Sequence, residues 1–246
     1  MNQICYGEIE NNFILRSERE FMKKRSGFTL VEIAIVLVII GLLLAAVLKG
    51  QEMITQGKIK GVINDFNAVM TAYNGYQDRY KALPGDDNGA AARWPAGNFG
   101  TGSAAAVDGN GNGIIAGAYF DNVANPATAN EANLFWQHLR ASGFYPGTQT
   151  GAGSGTLPSN SAGGTIGVEN GAFGMTGLVI CMTAISYKIA QAVDTQIDDG
   201  NAMTGSVRGA LYNTANPIDA TNPAAAAAPT VNYADGNTYV ICRSIP

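Results

Sequence analysis

Ile33–Leu48 is a run of sixteen residues without a charge, and a carboxylate, Glu32, stands directly before it. An ionised carboxylate inside a helix costs about 2.5–3.5 kcal/mol on insertion scales at the bilayer midplane. An acid at the edge of such a run therefore reads as functional, with a partner to be identified. Phe28–Leu48 spans 21 residues, roughly 31 Å as an α-helix, which matches the ~30 Å hydrocarbon core of a bilayer. Arg16, Arg19, Lys23, Lys24 and Arg25 precede it, so the excess of positive charge puts the N-terminal side in the cytoplasm, with a single pass. Lys49-Gly50-Gln51-Glu52 lacks the small-residue pattern of a secretory signal cleavage site. A plain signal anchor would have no use for Glu32.

The stretch Lys23-Lys24-Arg25-Ser26-Gly27-Phe28-Thr29-Leu30-Val31-Glu32, followed by the apolar helix, resembles the processing site of the type IV pilin and type II secretion pseudopilin superfamily. The resemblance implies cleavage between Gly27 and Phe28 by a prepilin peptidase and N-methylation of Phe28. It also implies that Glu32 pairs with the N-terminal amine of a neighbouring subunit during assembly. The implied partners are copies of the chain or other pilins in a helical filament, an inner-membrane assembly platform, and membrane lipid before assembly. The motif covers about the first fifth of the chain. Residues 1–27 are expected to be a leader, which takes Cys5 with it. Either Met22 is the true start or residues 1–21 belong to a long leader.

Removing that leader takes five basic residues from 15 and four acidic residues from 19, leaving 10 and 15, a net charge of −5 over 219 residues. A mildly acidic, charge-poor chain lacks the basic patch a dedicated nucleic-acid ligand would need. Its size suits one anchor helix and one globular domain.

Beyond the apolar run, Ile59, Val62, Ile63, Phe66, Val69, Met70, Tyr73, Tyr76 and Tyr80 recur at three- and four-residue spacing, which predicts one apolar stripe on a continuing helix. Leu83-Pro84-Gly85 ends it. The predicted fold is α+β and pilin-like. Residues 28–81 form a long helix, with residues 28–48 in the membrane and the amphipathic half packed on a globular domain, residues 82–246, that contains a small antiparallel sheet. The tyrosines are expected to pack against that sheet. An electron-conducting stripe is the alternative at this spacing.

Asp108-Gly109-Asn110-Gly111-Asn112-Gly113-Ile114 places side-chain oxygens at positions 1, 3 and 5, glycine at 6 and an apolar residue's carbonyl at 7. This is the first half of an EF-hand-type calcium loop. A hard cation requires six to eight oxygens at ~2.3–2.6 Å, and alternate residues of a tight turn present them from one side. Tyr119 stands at position 12 in place of the bidentate glutamate. Glu131 is therefore expected to complete the set, with Asp121 as the alternative. Two neutral asparagines among the ligands predict weak affinity, ~10⁻⁴–10⁻³ M. A Gly/Asn-rich turn without an ion is the competing reading. The family resemblance favours calcium in loop 108–115, because pseudopilins and some large pilin-like proteins bind it in a loop of the globular domain.

Glu131–Arg140 predicts a short helix with Leu134, Phe135, His138 and Leu139 near one face. His138, the single histidine, reads as structural, since catalysis would need a partner nucleophile. Residues 146–172 read as an exposed, flexible Gly/Ser/Thr-rich loop. Residues 177–181 read as a strand, and the four-residue spacing of Ile185, Ile189, Val193 and Ile197 as a helix from about Thr183 to a stop at Gly200. Ile197–Asn201 reads as a turn, with a second metal loop as the alternative. Residues 206–212 and 238–243 read as further strands, and residues 224–228 as a loop. Cys181 and Cys242 would pair in an oxidising compartment, resembling the C-terminal disulfide loop of type IV pilins. Two buried thiols are the other possibility.

Neither a metal–histidine cluster, a nucleophile elbow nor a phosphate loop is visible in the sequence, so an enzyme is not expected. The expected function is a structural filament subunit that leaves the inner membrane for a surface pilus. A periplasmic pseudopilus of a type II secretion system, or a minor tip pilin acting as an adhesin, are the alternatives.

Overall fold

A computed structural model describes residues 27–117, 130–151, 153–212 and 229–246. The basic cluster before Gly27, Tyr119, Asp121 and the loop at 224–228 lie outside these residues. The elements run α1 (Leu30–Tyr80), α2 (Ala90–Arg93), α3 (Glu131–Ala141), β1 (Ile166–Asn170), β2 (Leu178–Ser186), α4 (Tyr187–Ile197), β3 (Val207–Leu211) and β4 (Thr238–Ser244). The chain divides into two compact units, Met1–Leu48 and Lys49–Pro246, with α1 beginning in the first and ending in the second.

In the first unit α1 is apolar all round. Its large side chains are exposed, from Leu30 at 88% to Ile40 at 46%, and it is long and apolar enough to cross a membrane. A helix without a polar face has no side to turn to water, and this segment is suited to lipid or to other helices.

In the second unit the helical stripe does what its spacing predicts. Ile59, Val62, Phe66, Val69, Ala72 and Tyr76 are buried. They share a core with Phe135, Trp136 and Leu139 of α3, with Ile189 and Val193 of α4, and with one face of the sheet. The sheet is antiparallel, in the order β1-β2-β4-β3. Side chains alternate across it with the two-residue period of a strand. Ile180, Met182, Tyr239 and Ile241 enter the main core, while Val179, Cys181, Val240 and Cys242 meet Phe173 and Met175 on the opposite face.

Several elements depart from the periodicity reading. The ring partners of the α1 tyrosines come from α3 and from the residue after α2. Tyr73 stacks on Phe135 with ring centroids 6.4 Å apart, Tyr76 on His138 at 6.1 Å, and Tyr80 meets Trp94 edge-on at 5.4 Å. Helix α3 has no exposed face, since Glu131 through Ala141 are all buried. Strand β2 extends to Ser186 through the region read as helix, and α4 begins only at Tyr187. Pairing with Tyr239 and Thr238 of β4 holds Ile185 and Ser186 in the ladder past a bulge after Met182. Ile185 thus belongs to the strand, although its spacing to Ile189 is also that of a helix.

The segment 146–172 is neither wholly exposed nor a simple loop. It contains β1, and Ser154 and Asn160 are buried. Arg140 of α3 donates Nη1 to the Ser154 carbonyl and Nη2 to the Thr156 carbonyl. Asp65 of α1 accepts the Ser161 N–H at 2.7 Å. Gly61 permits that approach, because a Cβ there would lie 2.6 Å from the Ser161 side chain. Lysine cannot reproduce the two-carbonyl fork of Arg140. Arg140→Lys should therefore cost about 2 kcal/mol, read as a lower urea midpoint with an unchanged slope, together with faster proteolysis around residues 153–157.

Candidate functional site

Three arrangements carry the residues singled out from the sequence. The first lies at the start of α1. The Thr29 hydroxyl accepts the Glu32 N–H at 3.2 Å, and the Thr29 N–H and hydroxyl donate to Glu32 Oε2 at 2.7 and 2.9 Å. This is a capping box, in which residues three apart satisfy each other's open backbone groups at a helix start. Gly27 and Phe28 lie immediately before it, and Phe28 is 82% exposed. Glu32 thus holds a local bond at the start of α1, a role its place in the sequence motif does not assign. Its signal was present, since Thr-x-x-Glu ahead of an apolar run is a helix-start pattern.

The second arrangement surrounds Asp108–Ile114. Glu131, at the first turn of α3, reaches the loop as expected, but as an acceptor of backbone N–H groups. Its Oε1 takes the Asn110 N–H at 3.1 Å, and its Oε2 the Ala116 N–H at 2.8 Å. Asn110 Oδ1 accepts from the Asn112 N–H, and Asn112 Oδ1 from the Ile114 N–H, both at 2.9 Å. Asp108 Oδ1 accepts the Ala91 N–H at 2.7 Å, which ties the loop to the first turn of α2. Asp86 was not foreseen. Its Oδ1 takes the Asn112 N–H and its Oδ2 the Gly113 N–H, at 2.9 and 2.7 Å. Asp86 and Glu131 are both buried, and among the described residues neither they nor Asp108 has a basic partner. Asp86 and Glu131 thus reach the loop that carries Asp108, with no compensating cation among the described residues.

Gly85 sets this geometry. Its φ of +93° is in the left-handed region, and a Cβ there would lie 2.4 Å from the Glu131 carbonyl oxygen. The glycine read only as a helix stop is also what lets the Asp86 segment lie against α3. Behind it, Asp87 accepts from the Tyr76 hydroxyl at 2.6 Å and pairs with Arg93. Burial alone would raise the Asp87 carboxyl, but bonds from Arg93, Tyr76 and the Gly89 N–H hold it below the usual carboxylate range. Burial and the neighbouring Asp87 push the Tyr76 phenol up.

Asp194, Asp198 and Asp199, at the turn read as a possible second metal loop, have ligand oxygens within 4.8 Å of one another. They are occupied in closing the turn. Asp194 accepts from the Tyr233 hydroxyl at 2.8 Å and the Gly200 N–H at 3.1 Å. Asp198 accepts from the Ser206 and Val207 N–H groups, and Asp199 from the Thr204 hydroxyl.

The third arrangement is the bond between Cys181 and Cys242, which sit directly opposite each other on β2 and β4 with Sγ atoms 2.04 Å apart. Both are fully buried. The last strand in sequence is thus bonded covalently into the middle of the sheet.

Comparison with known protein families gives a match at the N-terminal end of the chain. Residues 22–48 fit the model described as the prokaryotic N-terminal methylation motif. No curated protein and no solved structure matches the chain.

Proposed function

We propose that this chain, placed in the type IV pilin and pseudopilin class by its N-terminal methylation motif, is the structural subunit of a type IV pilus-like filament. In this reading the subunit waits in the inner membrane, a prepilin peptidase cuts after Gly27, and the new N-terminus of Phe28 is methylated. Assembly then transfers α1 from lipid to a bundle of like helices on an inner-membrane platform. Glu32 leaves its own cap to offset the Phe28 amine of a neighbouring copy. The observation that carries this reading is the motif at residues 22–48, whose C-terminal part is an apolar stretch of helix with no buried residue. Shearing fibres from intact cells and probing for the chain tests it. Its presence in sheared fibres is the expected result, and retention in the envelope fraction of cells that secrete through a type II system would favour a pseudopilus. A minor tip adhesin would appear in fibres at trace abundance.

The loop is proposed to take a calcium ion through Asp108, Asn110, Asn112, the Ile114 carbonyl and Glu131. The support is the donor set, all oxygen, and the unbalanced charge of Asp86, Asp108 and Glu131. Each carboxylate oxygen that accepts one N–H keeps a second lone pair for a cation. A ligand at tenfold excess over its Kd stabilises the folded chain by about 1.4 kcal/mol. Millimolar calcium should therefore raise the thermal midpoint and EDTA should lower it, with Asp108→Asn abolishing the difference. A midpoint indifferent to calcium in the wild-type chain contradicts the assignment.

A further inference from the structure

His138 is fully buried on α3, and its two ring nitrogens reach two segments that flank the carboxylate-lined loop. Nδ1 lies 2.9 Å from the backbone nitrogen of Gly85. That N–H can only donate, so Nδ1 must be the bare acceptor. Nε2 lies 2.7 Å from the carbonyl oxygen of Val107 and therefore carries the ring proton. One species alone satisfies both contacts, the neutral imidazole protonated on Nε2. We propose that His138 is a proton-operated latch that holds residues 85–89 and 105–113 together when neutral and releases them when Nδ1 gains a proton. Protonation brings two N–H groups head to head, so the bond to Gly85 must break, and it places a charge in the core.

The groups facing the ring fix the sign. Tyr76 stacks on it from α1. Asp87, from the segment after α1, is committed to Tyr76 and to Arg93 of α2. Asp108 is committed to the Ala91 N–H. Burial lowers the His138 pKa below the ordinary 6.5, against the opposing pull of the Val107 carbonyl and of Asp87 and Asp108, while Arg93 lowers it further. A histidine whose folded pKa is depressed contributes stability that is complete above the unfolded value and is lost as pH falls from there through the folded value. Asp194, pushed up to about 6 mainly by burial, has the opposite sign, and its contribution grows as pH falls. The two are separable by location, because Asp194 lies against Tyr233 and Gly200. The latch itself does not need the calcium reading. If that reading holds, acid would also weaken calcium binding, because Asp86 and Asp108 are carried on the two released segments.

The chain holds one histidine, so ¹⁵N spectra of the full-length protein in detergent micelles report this ring without overlap. With EDTA present, the expected result is the Nε2–H tautomer at pH 7. As the pH is lowered below 6.5, ring protonation, wherever it falls, should coincide with a rise of about tenfold or more in amide exchange at residues 85–89 and 105–113, after correction for the intrinsic rate, with β2 unchanged. A ring that stays neutral until β2 also loses its protection would overturn the latch. His138→Gln, whose amide can accept from Gly85 and donate to Val107 without titrating, should flatten that pH dependence. If the variant does not fold, the wild-type titration decides alone. An Nδ1–H tautomer or a charged ring at pH 7 would overturn the latch, as would protonation that leaves exchange in both segments unchanged. Failure of calcium to bind leaves this experiment unaffected.

Discussion

Glu32→Gln leaves the subunit in the membrane with α1 properly capped, yet reduces filaments below detection. Glutamine serves in a capping box as glutamate does, so this substitution removes the charge and keeps the local bonds to Thr29. Thr29→Ala does the reverse, removing the cap at a cost of about 1 kcal/mol and keeping the carboxylate. Removing one partner of a desolvated ion pair costs about 3–5 kcal/mol, which at 1.4 kcal/mol per tenfold is roughly 10²–10⁴ in each docking equilibrium. Fibres are therefore expected from Thr29→Ala and none from Glu32→Gln, counted by electron microscopy of sheared material. The opposite pattern would reduce Glu32 to a helix cap. Glu32→Ala loses both features and is expected to behave as Glu32→Gln does.

Loss of the disulfide should be the largest single change in the stability of the second unit. Closing a 61-residue separation is worth about 4 kcal/mol on the chain-entropy model, against the 5–15 kcal/mol typical of a whole domain. The replaced positions are fully buried, so the test variant is Cys181→Ala/Cys242→Ala, which avoids burying an unpaired hydroxyl. β4 lies between β2 and β3, so its loosening would affect the whole sheet. Urea unfolding is expected to show a midpoint far below that of the oxidised wild type, and reductant should lower the wild type to a similar value. A double variant that unfolds with the wild-type midpoint would show that hydrogen bonds and packing hold β4 without the link.

The two features with strong periodicity were readable from the chain. The α1 stripe from Ile59 to Tyr76 has one face and one period, and every favourable contact lies at i+3 or i+4. The strand at residues 206–212 was legible from its alternation, and the pairing of Cys181 with Cys242 from the behaviour of two cysteines in an oxidising compartment. Strand β1 was hidden in a Gly- and Ser-rich stretch because it is ordered by its ladder with β2, and the residues before it are held from further away. Arg140 and Asp65 supply the bonds that hold residues 154–161, and neither is near them in sequence. The β2–α4 boundary was misplaced because Ile185 and Ile189 satisfy a helical spacing while the ladder to β4 keeps Ile185 extended.

The same distinction separates the sites. Glu131 could be chosen because the loop lacked an acid and a helix start supplied one nearby. Asp86 could not, since it stands 22 residues before Asp108 and its role depends on the left-handed turn at Gly85. The part of Thr29 was carried by a short local pattern, overlooked because Glu32 already had an explanation. Long-range acceptors to backbone N–H groups leave no periodic trace, and they make up most of the loop's support.

The most direct test is the N-terminus of the chain recovered from cells, read by intact mass and by tandem sequencing. An assembly-competent subunit should begin at Phe28 with a methyl group on its amine and Glu32 as its fifth residue. A chain that begins at Met1 or Met22, with its basic leader attached, would have an amide and no amine at Phe28, and would contradict the account.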